Sequence, residues 1–291
     1  MLYSEGLLGY QNADGGWSYH HGGSWAEPTC YAMLALIASG MGERPEVRRG
    51  AQWLARCQRA DGGLAPRESV SESTWQTALT LLLPPAILGN GVDRKRAADW
   101  VVAQTGAESG WVYRLRLWML GSKVEDSLQF DGWPWYPGAA AWVAPTAISI
   151  LALEKYARQA GGSQFNGRIE QGRKFLLARR CRDGGWNHGS TVALGYDTDS
   201  YPEATGLALL ALHGVQGDEI SVGIARGEQH LADCRSSEAV NWLRLGLMAH
   251  GREPLVPGPD VESPTHGGTM ELAVAALADA AAQGRNFFLD A

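Results

Sequence analysis

No two cysteines of this chain form a CxxC unit, and the four present (Cys30, Cys57, Cys181, Cys234) are scattered. A dense disulfide framework is therefore excluded, and a reducing compartment with small buried thiols fits. Charge is scarce too. Asp, Glu, Lys and Arg make up 19% of 291 residues, the net charge is −6, and no long basic run occurs, which leaves nucleic acid without a partner surface. Long apolar runs are absent, since stretches such as 78–83 and 147–153 fall far short of a bilayer span. The opening "MLYSEGLLGYQ" has neither a basic n-region nor an apolar h-region, so the expectation is a cytoplasmic protein without a signal peptide. Strand signals are poor throughout. What the chain does have is 45% hydrophobic residues, enough for a large core, with 12 tryptophans and 37 glycines gathered at one kind of place.

That place repeats. Residues 11–36 read "QNADGGWSYHHGGSWAEPTCYAMLAL", and 180–212 read "RCRDGGWNHGSTVALGYDTDSYPEATGLALLAL". One pattern sets a Gly or Ala before an aromatic-aliphatic pair, then a polar residue and a Gly-Gly turn. It occurs as "GAQWLARCQRADGGL" (50–64), "AADWVVAQTGAESGW" (97–111), "GRKFLLARRCRDGGW" (172–186) and "GEQHLADCR" (227–235), with a bare tail "YQNADGGW" at 10–17. The uneven spacing implies loops of different length between similar units. A second pattern alternates with it, a polar lead followed by an apolar run. Its copies are "WAEPTCYAMLAL" (25–36), "ESTWQTALTLLL" (72–83), "WVAPTAISILAL" (142–153) and "YPEATGLALLAL" (201–212), with weaker forms at 237–249 and 269–280.

The second type is apolar all round and so predicts helices buried on every side, whereas the first carries arginine on one face and predicts water-facing helices. Pro28 and Pro145 suit a first helical turn. Gly40, Gly214 and Gly251 suit a stop. Six inner and about five outer helices, plus a truncated start, are satisfied by a closed all-α ring over residues 1–291, with the Gly-Gly-Trp turns at one end. The turns then staple neighbouring repeats and carry no chemistry. Glycine allows the backbone they need.

The "GAQWLARCQRADGGL" and "GRKFLLARRCRDGGW" units resemble the QW repeats of squalene–hopene and oxidosqualene cyclases. The Trp-x-Glu/Ala-Pro-Thr starts resemble the same superfamily, which includes protein prenyltransferase β subunits. The resemblance runs from about residue 10 to about 280 and implies a single (α/α)6 toroid, where the triterpene cyclases have two domains. It also implies an isoprenoid-processing role, with an apolar central cavity and either acid-initiated or diphosphate chemistry. Such cyclases protonate an alkene or epoxide with the middle carboxyl of a D-x-D-D-T run at an inner-helix start. The "TGLALLAL" register sets Glu203 on that middle position without its flanking acids, and "DTDS" just upstream offers Asp197 and Asp199. Glu27 is equivalent in the first repeat, and an acid at a helix N-terminus also has dipole and capping reasons to be there.

The prenyltransferases of the superfamily hold zinc with Asp, Cys and His. Here Ser69 and Ser71 precede Trp75-Gln76, and Pro28 precedes Thr29-Cys30-Tyr31, so that ligand set is replaced. No cofactor is expected, except magnesium should the substrate be a diphosphate. His20, His21 and His188 lie in glycine-rich loops, where a metal role remains open. Residues 107–142 break the repeat as an aromatic-rich insertion with Trp111, Trp118, Trp133, Trp135 and Trp142. Residues 111–119 alternate weakly as a short hairpin or lid would, and Arg114 and Arg116 suit an anionic head group.

The expected site is the end where inner helices begin, because their orphan N–H groups and dipoles face it. Asp197, Asp199 and Glu203 are the expected acids, with Tyr201 between them and Glu27 near. An isoprenoid is expected along the axis against Trp25, Trp75, Trp142 and Trp242, with Trp133 and Trp135 at the mouth, where aromatic faces stabilise a cation. Three readings stay open: an isoprenoid enzyme, a non-catalytic toroid that binds a lipid or a protein partner, and a carbohydrate-active barrel using Glu27 and Glu203. The QW-like units argue against the last. Peripheral membrane contact is compatible with the first two. Purified protein is expected to hold no stoichiometric zinc at the Ser69, Ser71 and Pro28 positions. Elemental analysis finding one zinc per chain, lost on mutating His20, His21 or His188, would show a different ligand set.

Overall fold

Segments that are apolar on all sides become helices buried on all sides. The computed structural model describes residues 2–110, 119, 130–193, 196–252 and 267–290. Its helices are α1 (Leu2–Gly9), α2 (Ala26–Ala38), α3 (Pro45–Cys57), α4 (Gln76–Leu82), α5 (Pro85–Leu88), α6 (Arg94–Ala103), α7 (Val143–Ala160), α8 (Asn166–Ala178), α9 (Pro202–Ala211), α10 (Asp218–Asp233), α11 (Ser237–Ala249) and α12 (Thr269–Ala282). The six apolar segments form α2, α4, α7, α9, α11 and α12, and they close on themselves. Each packs on the next, and α12 returns to α2. Behind them lie α1 against α12 and α2, α3 against α2, α6 against α4 and α7, α8 against α7, and α10 against α9 and α11. The truncated first unit thus supplies a real outer helix, α1. Among the described residues, strand is limited to β1 (Trp133–Pro134) with β2 (Ala141–Trp142), and β3 (Val192–Ala193) with β4 (Tyr196–Asp197), both antiparallel.

A recurring joint ties each turn to the inner helix that follows. Thr29 Oγ1 accepts the Trp17 amide at 2.9 Å, Thr77 that of Leu64 at 2.8 Å, Thr146 that of Trp133 at 2.8 Å, and Thr205 that of Trp186 at 3.0 Å. The indoles of Trp17, Trp133 and Trp186 each donate at 2.7 Å to the preceding outer helix, at the carbonyls of Leu7, Val101 and Leu176. Asp14 accepts from the Gly16 amide, the Ser24 hydroxyl and the indole of Trp53 on the next outer helix. Asp61 does the same with Gly63, Ser73 and Trp100.

The paired glycines answer two different demands. Gly15, Gly62 and Gly184 have φ of 98°, 95° and 97°, a region glycine enters at little cost. At Gly16 and Gly63 a Cβ would stand 2.5 Å from the Cβ of Ser24 and Ser73.

The structure corrects two details of the repeat. In the insertion-bearing unit, Asp131-Gly132-Trp133 forms the joint, because Trp133 makes the threonine and carbonyl contacts; Trp111 of the "SGW" stretch lies outside the described residues. On α10 the register starts at Gly223 and not at Gly227. A Cβ at Gly223 would meet the Trp186 ring at 2.7 Å, and Arg226, three residues on, pairs with Asp183 at 3.1 Å where Trp53 and Trp100 serve elsewhere.

The opposite end of the ring is crossed by residues 285–290. Arg285 donates to Ala38 O at 2.8 Å, Lys155 to Phe287 O at 2.5 Å and Arg158 to Leu289 O at 3.1 Å. Burial pushes the Lys155 amine down to about 8. Phe288 reaches inward to Trp242, with ring centroids 5.8 Å apart, and Trp242 meets Tyr31 edge-on at 5.7 Å.

Helices α9 and α11 touch backbone to backbone. A Cβ on Gly206 would lie 2.4 Å from the Trp242 carbonyl carbon, and one on Gly246 would lie 2.3 Å from Gly206 O. Gly206→Ala should therefore destabilise the protein by about 3 kcal/mol or more in urea unfolding, because no flexible side chain can give way. Gly167→Ala, in open space on α8, should be neutral or add up to about 1 kcal/mol.

Candidate functional site

Because every joint lies at the same end of the ring, the N-termini of the inner helices share one mouth. Two kinds of side chain occupy it. The residues that precede α2, α4, α7 and α9 are aromatic: Trp25, Trp75, Trp142 and Tyr201. The first turns of α2, α9, α11 and α12 hold Glu27, Glu203, Glu238 and Glu271.

The aromatic half is continuous. Trp75 meets Trp135 edge-on at 4.9 Å, Trp135 meets Trp142 at 6.3 Å, Trp142 meets His188 at 5.6 Å, and His188 meets Tyr201 at 5.0 Å. The Trp75 amide donates to Trp135 O at 3.1 Å, which fixes Trp135 to the start of α4. Trp25 stands apart beside Tyr19 at 6.2 Å, with the Arg67 guanidinium 5.1 Å over its ring.

The acidic half is electrostatically crowded. Burial raises the Glu238 carboxyl to about 7, the charges of Glu271, Glu27 and Glu203 push the same way, and a hydrogen bond with the Trp242 side chain partly opposes them. Burial also raises Glu27, against a hydrogen bond from the Tyr19 hydroxyl. Burial and the charges of Glu27 and Glu238 push the Tyr31 phenol well above its usual range. Glu238 therefore retains its proton near neutral pH.

The expected residues separate into three places. Glu203, Glu27, Trp25, Trp75, Trp135, Trp142 and Tyr201 lie at the mouth. Trp133 does not: it is 2% exposed and staples α6 to α7 as Trp17 and Trp186 staple their own units. Trp242 is 3% exposed on α11, between Tyr31 and Phe288, so the axis there is filled by the protein's own rings. Asp197 and Asp199 do not converge with Glu203. Asp197 is carried outward by β4 to pair with Arg182 at 2.9 Å, both side chains at least half exposed, and Asp199 is exposed on the loop after it. His20, His21 and His188 are exposed, and among the described residues no three His, Cys, Asp or Glu side chains are grouped as a metal site requires. Trp118, Arg114, Arg116 and the 111–119 alternation fall outside the described residues, apart from Met119, which is 72% exposed.

Glu238 and Glu271 escaped the sequence reading. Their signal is an acid in the first turn of two weaker inner segments, as at Glu27 and Glu203.

A ring of paired inner and outer helices with this joint is an α/α toroid. No family profile matches the chain. A squalene–hopene cyclase of Bradyrhizobium diazoefficiens is 24% identical over 216 residues, 66% of this chain and 30% of the relative. The type II terpene cyclase MstE from Scytonema superposes with a TM-score of 0.54 at 18% identity, covering 98% of this chain and 77% of that one. The ent-copalyl diphosphate synthase from Streptomyces platensis gives 0.50 at 18% identity, covering 94% and 45%. The chain is terpenoid cyclase-like in sequence and fold, and it spans under a third of the length of that curated relative. No helix among the described residues is long and apolar enough to cross a membrane.

The raised Glu238 carboxyl fixes a stability trend. The folded chain holds this proton up to about pH 7, while an unfolded glutamate releases it near the usual carboxylate range. Stability therefore falls as pH rises through that window, and the loss is complete above it. Glu238→Gln should melt a few degrees higher than the parent at pH 8 and at the same temperature at pH 4. Equal melting at both would show that the carboxyl is not desolvated in the folded state.

Proposed function

We propose that the chain is an isoprenoid-processing protein, working as one α/α ring in the cytoplasm, that starts carbocation chemistry with a carboxyl proton. The observation that carries the reading is the divided ring end: half-buried glutamates in the first turns of α2, α9, α11 and α12, with the Glu238 carboxyl raised to about 7, stand at the helix starts beside the aromatic arc before α4, α7 and α9. The terpenoid cyclase-like fold supports it.

In the step proposed, the π electrons of a substrate alkene take the proton of the acidic set, with Glu238 as its main holder. A C–H bond forms, a carboxylate remains, and the cation develops beside the indole and phenol faces, whose quadrupoles stabilise it. Loss of a proton from a neighbouring carbon to a carboxylate of the set ends the reaction, so the product is an isomer of the substrate. The reaction as written requires no cofactor. Several carboxylates at the mouth repel a diphosphate, so the substrate suggested is a neutral polyene or its epoxide.

A second reading, a toroid that binds a lipid or a protein partner without turning it over, draws on the filled axis, where Tyr31, Trp242 and Phe288 leave little exposed surface. One panel separates the two. Linear polyenes, their epoxides and their diphosphates are offered to the parent and to Glu27→Gln, Glu203→Gln and Glu238→Gln. Loss of the proton donor should slow turnover at least about 10²-fold. Asp197→Asn and Asp199→Asn should leave it unchanged. The parent's rate should fall as pH rises through about 7, as the donor ionises. Saturable binding of a polyene with no product in any variant would favour the binding reading.

A further inference from the structure

The two oxygens of the Glu154 carboxyl have unequal surroundings. Glu154 lies on α7, in the half of the helix away from the mouth, and its side chain is 10% exposed. Oε1 accepts from Arg173 of α8 at 2.5 Å. Oε2 is buried and has no hydrogen-bond partner among the described residues. Nε2 of His213, two residues beyond the end of α9, stands 3.4 Å from it, just past the usual length of a hydrogen bond.

The His213 ring faces an oxygen at each nitrogen. Nδ1 lies 3.2 Å from Leu210 O, and a carbonyl oxygen only accepts, so Nδ1 carries a hydrogen. A neutral imidazole has a single N–H, which leaves Nε2 as a bare lone pair facing Glu154 Oε2. The other tautomer merely moves the conflict to Leu210. An ionised Glu154 beside a neutral His213 therefore sets a lone pair against an oxygen in either tautomer. One further proton between Nε2 and Oε2 removes the conflict.

The charged neighbours are accounted for. Burial raises the Glu154 carboxyl, and the charges of Arg173 and Arg158 only partly oppose it. Burial lowers the His213 imidazole, the charges of Arg173, Arg158 and His250 push the same way, and the Leu210 carbonyl opposes them. Both directions favour an uncharged pair, with the carboxyl donating to Nε2. His250, after α11, is engaged with Leu209 O at 2.8 Å, and Arg158 and Lys155 of α7 reach Leu289 O and Phe287 O. Arg94 of α6 is held by Leu81 O and Gln159. On α10, Asp218 and Glu219 are exposed, and Glu228 pairs with Arg252 at 3.0 Å. None of these groups bonds to Glu154 Oε2.

We propose that Glu154 and His213 form a proton-held clasp between α7 and α9, closed while Oε2 and Nε2 share one proton and open once it is lost. The clasp is a pH-sensitive joint on the two helices whose starts follow Trp142 and Tyr201. It does not depend on proton transfer from the acidic set. The sign follows from the geometry. Rising pH removes the proton, leaves a carboxylate against a lone pair and loosens the C-terminal turn of α9.

The test is hydrogen exchange on the intact chain, read at residues 206–213 from about pH 5 to about pH 8 and corrected for the intrinsic base-catalysed rate. In the parent, exchange there should quicken by about tenfold over that range. Glu154→Gln places an amide N–H against Nε2 at every pH, so its change should stay within about twofold. That variant also weakens the hold on Arg173. His213→Gln, whose amide can donate to the Glu154 carboxylate, is therefore the second variant and should flatten the change in the same way. Glu238 is present in all three proteins, so a change caused by the carboxyl at the mouth would persist in both variants and would overturn the proposal. No quickening in the parent would overturn it as well. So would a His213 ring whose nitrogen resonances are those of a solvent-exposed imidazole throughout the range.

Discussion

One hydroxyl-to-amide bond, made at four starts of inner helices, orders the rest of this molecule. The amide after each Gly-Gly or Asp-Gly turn is buried, and a buried N–H without an acceptor costs far more than a hydrogen bond returns. The threonines at 29, 77, 146 and 205 supply that acceptor from the first turn of the following helix. A hydroxyl in that place fixes where the turn sits and the end at which each inner helix begins. The N-termini of α2, α4, α7 and α9 are thereby brought to one side.

The mouth is the consequence. Residues just before and just after the helix starts must line it, whatever their chemistry. Here that chemistry divides the ring, with aromatic side chains before α4, α7 and α9 and carboxylates in the first turns of α9, α11, α12 and α2. The carboxylates also sit at positive dipole ends, which favours their charge. Burial and mutual repulsion oppose it, and at Glu238 the opposition wins. At the far end, Phe288 and Lys155 anchor the 285–290 segment across the ring.

The alternation of helix types was legible because a helix with no polar face has nowhere to go but inside. The joint was legible in its Asp-Gly-Gly-Trp spelling, and less so where the spelling changed. Trp133 looks like a mouth residue by composition, yet the Asp131-Gly132 before it marks a staple. Arg226 hides the register of α10 because it takes a role that tryptophan has elsewhere. Asp197 and Asp199 lie close to α9 in sequence, but a two-residue β-pair turns them outward, and linear nearness says nothing of that. Glu238 and Glu271 were hidden by segments that lack the Pro-Thr lead, although each lies in the first turn of its helix as Glu27 and Glu203 do.

The central claim is that a carboxyl proton enters the substrate. Incubating the protein with a neutral linear polyene in D₂O and locating the label in the product tests it directly. The account predicts an isomer one mass unit heavier, with a single deuterium on the carbon that received the proton and none lost on return to H₂O. An isomer without deuterium at a saturated carbon, or a product formed only from a diphosphate, would contradict it.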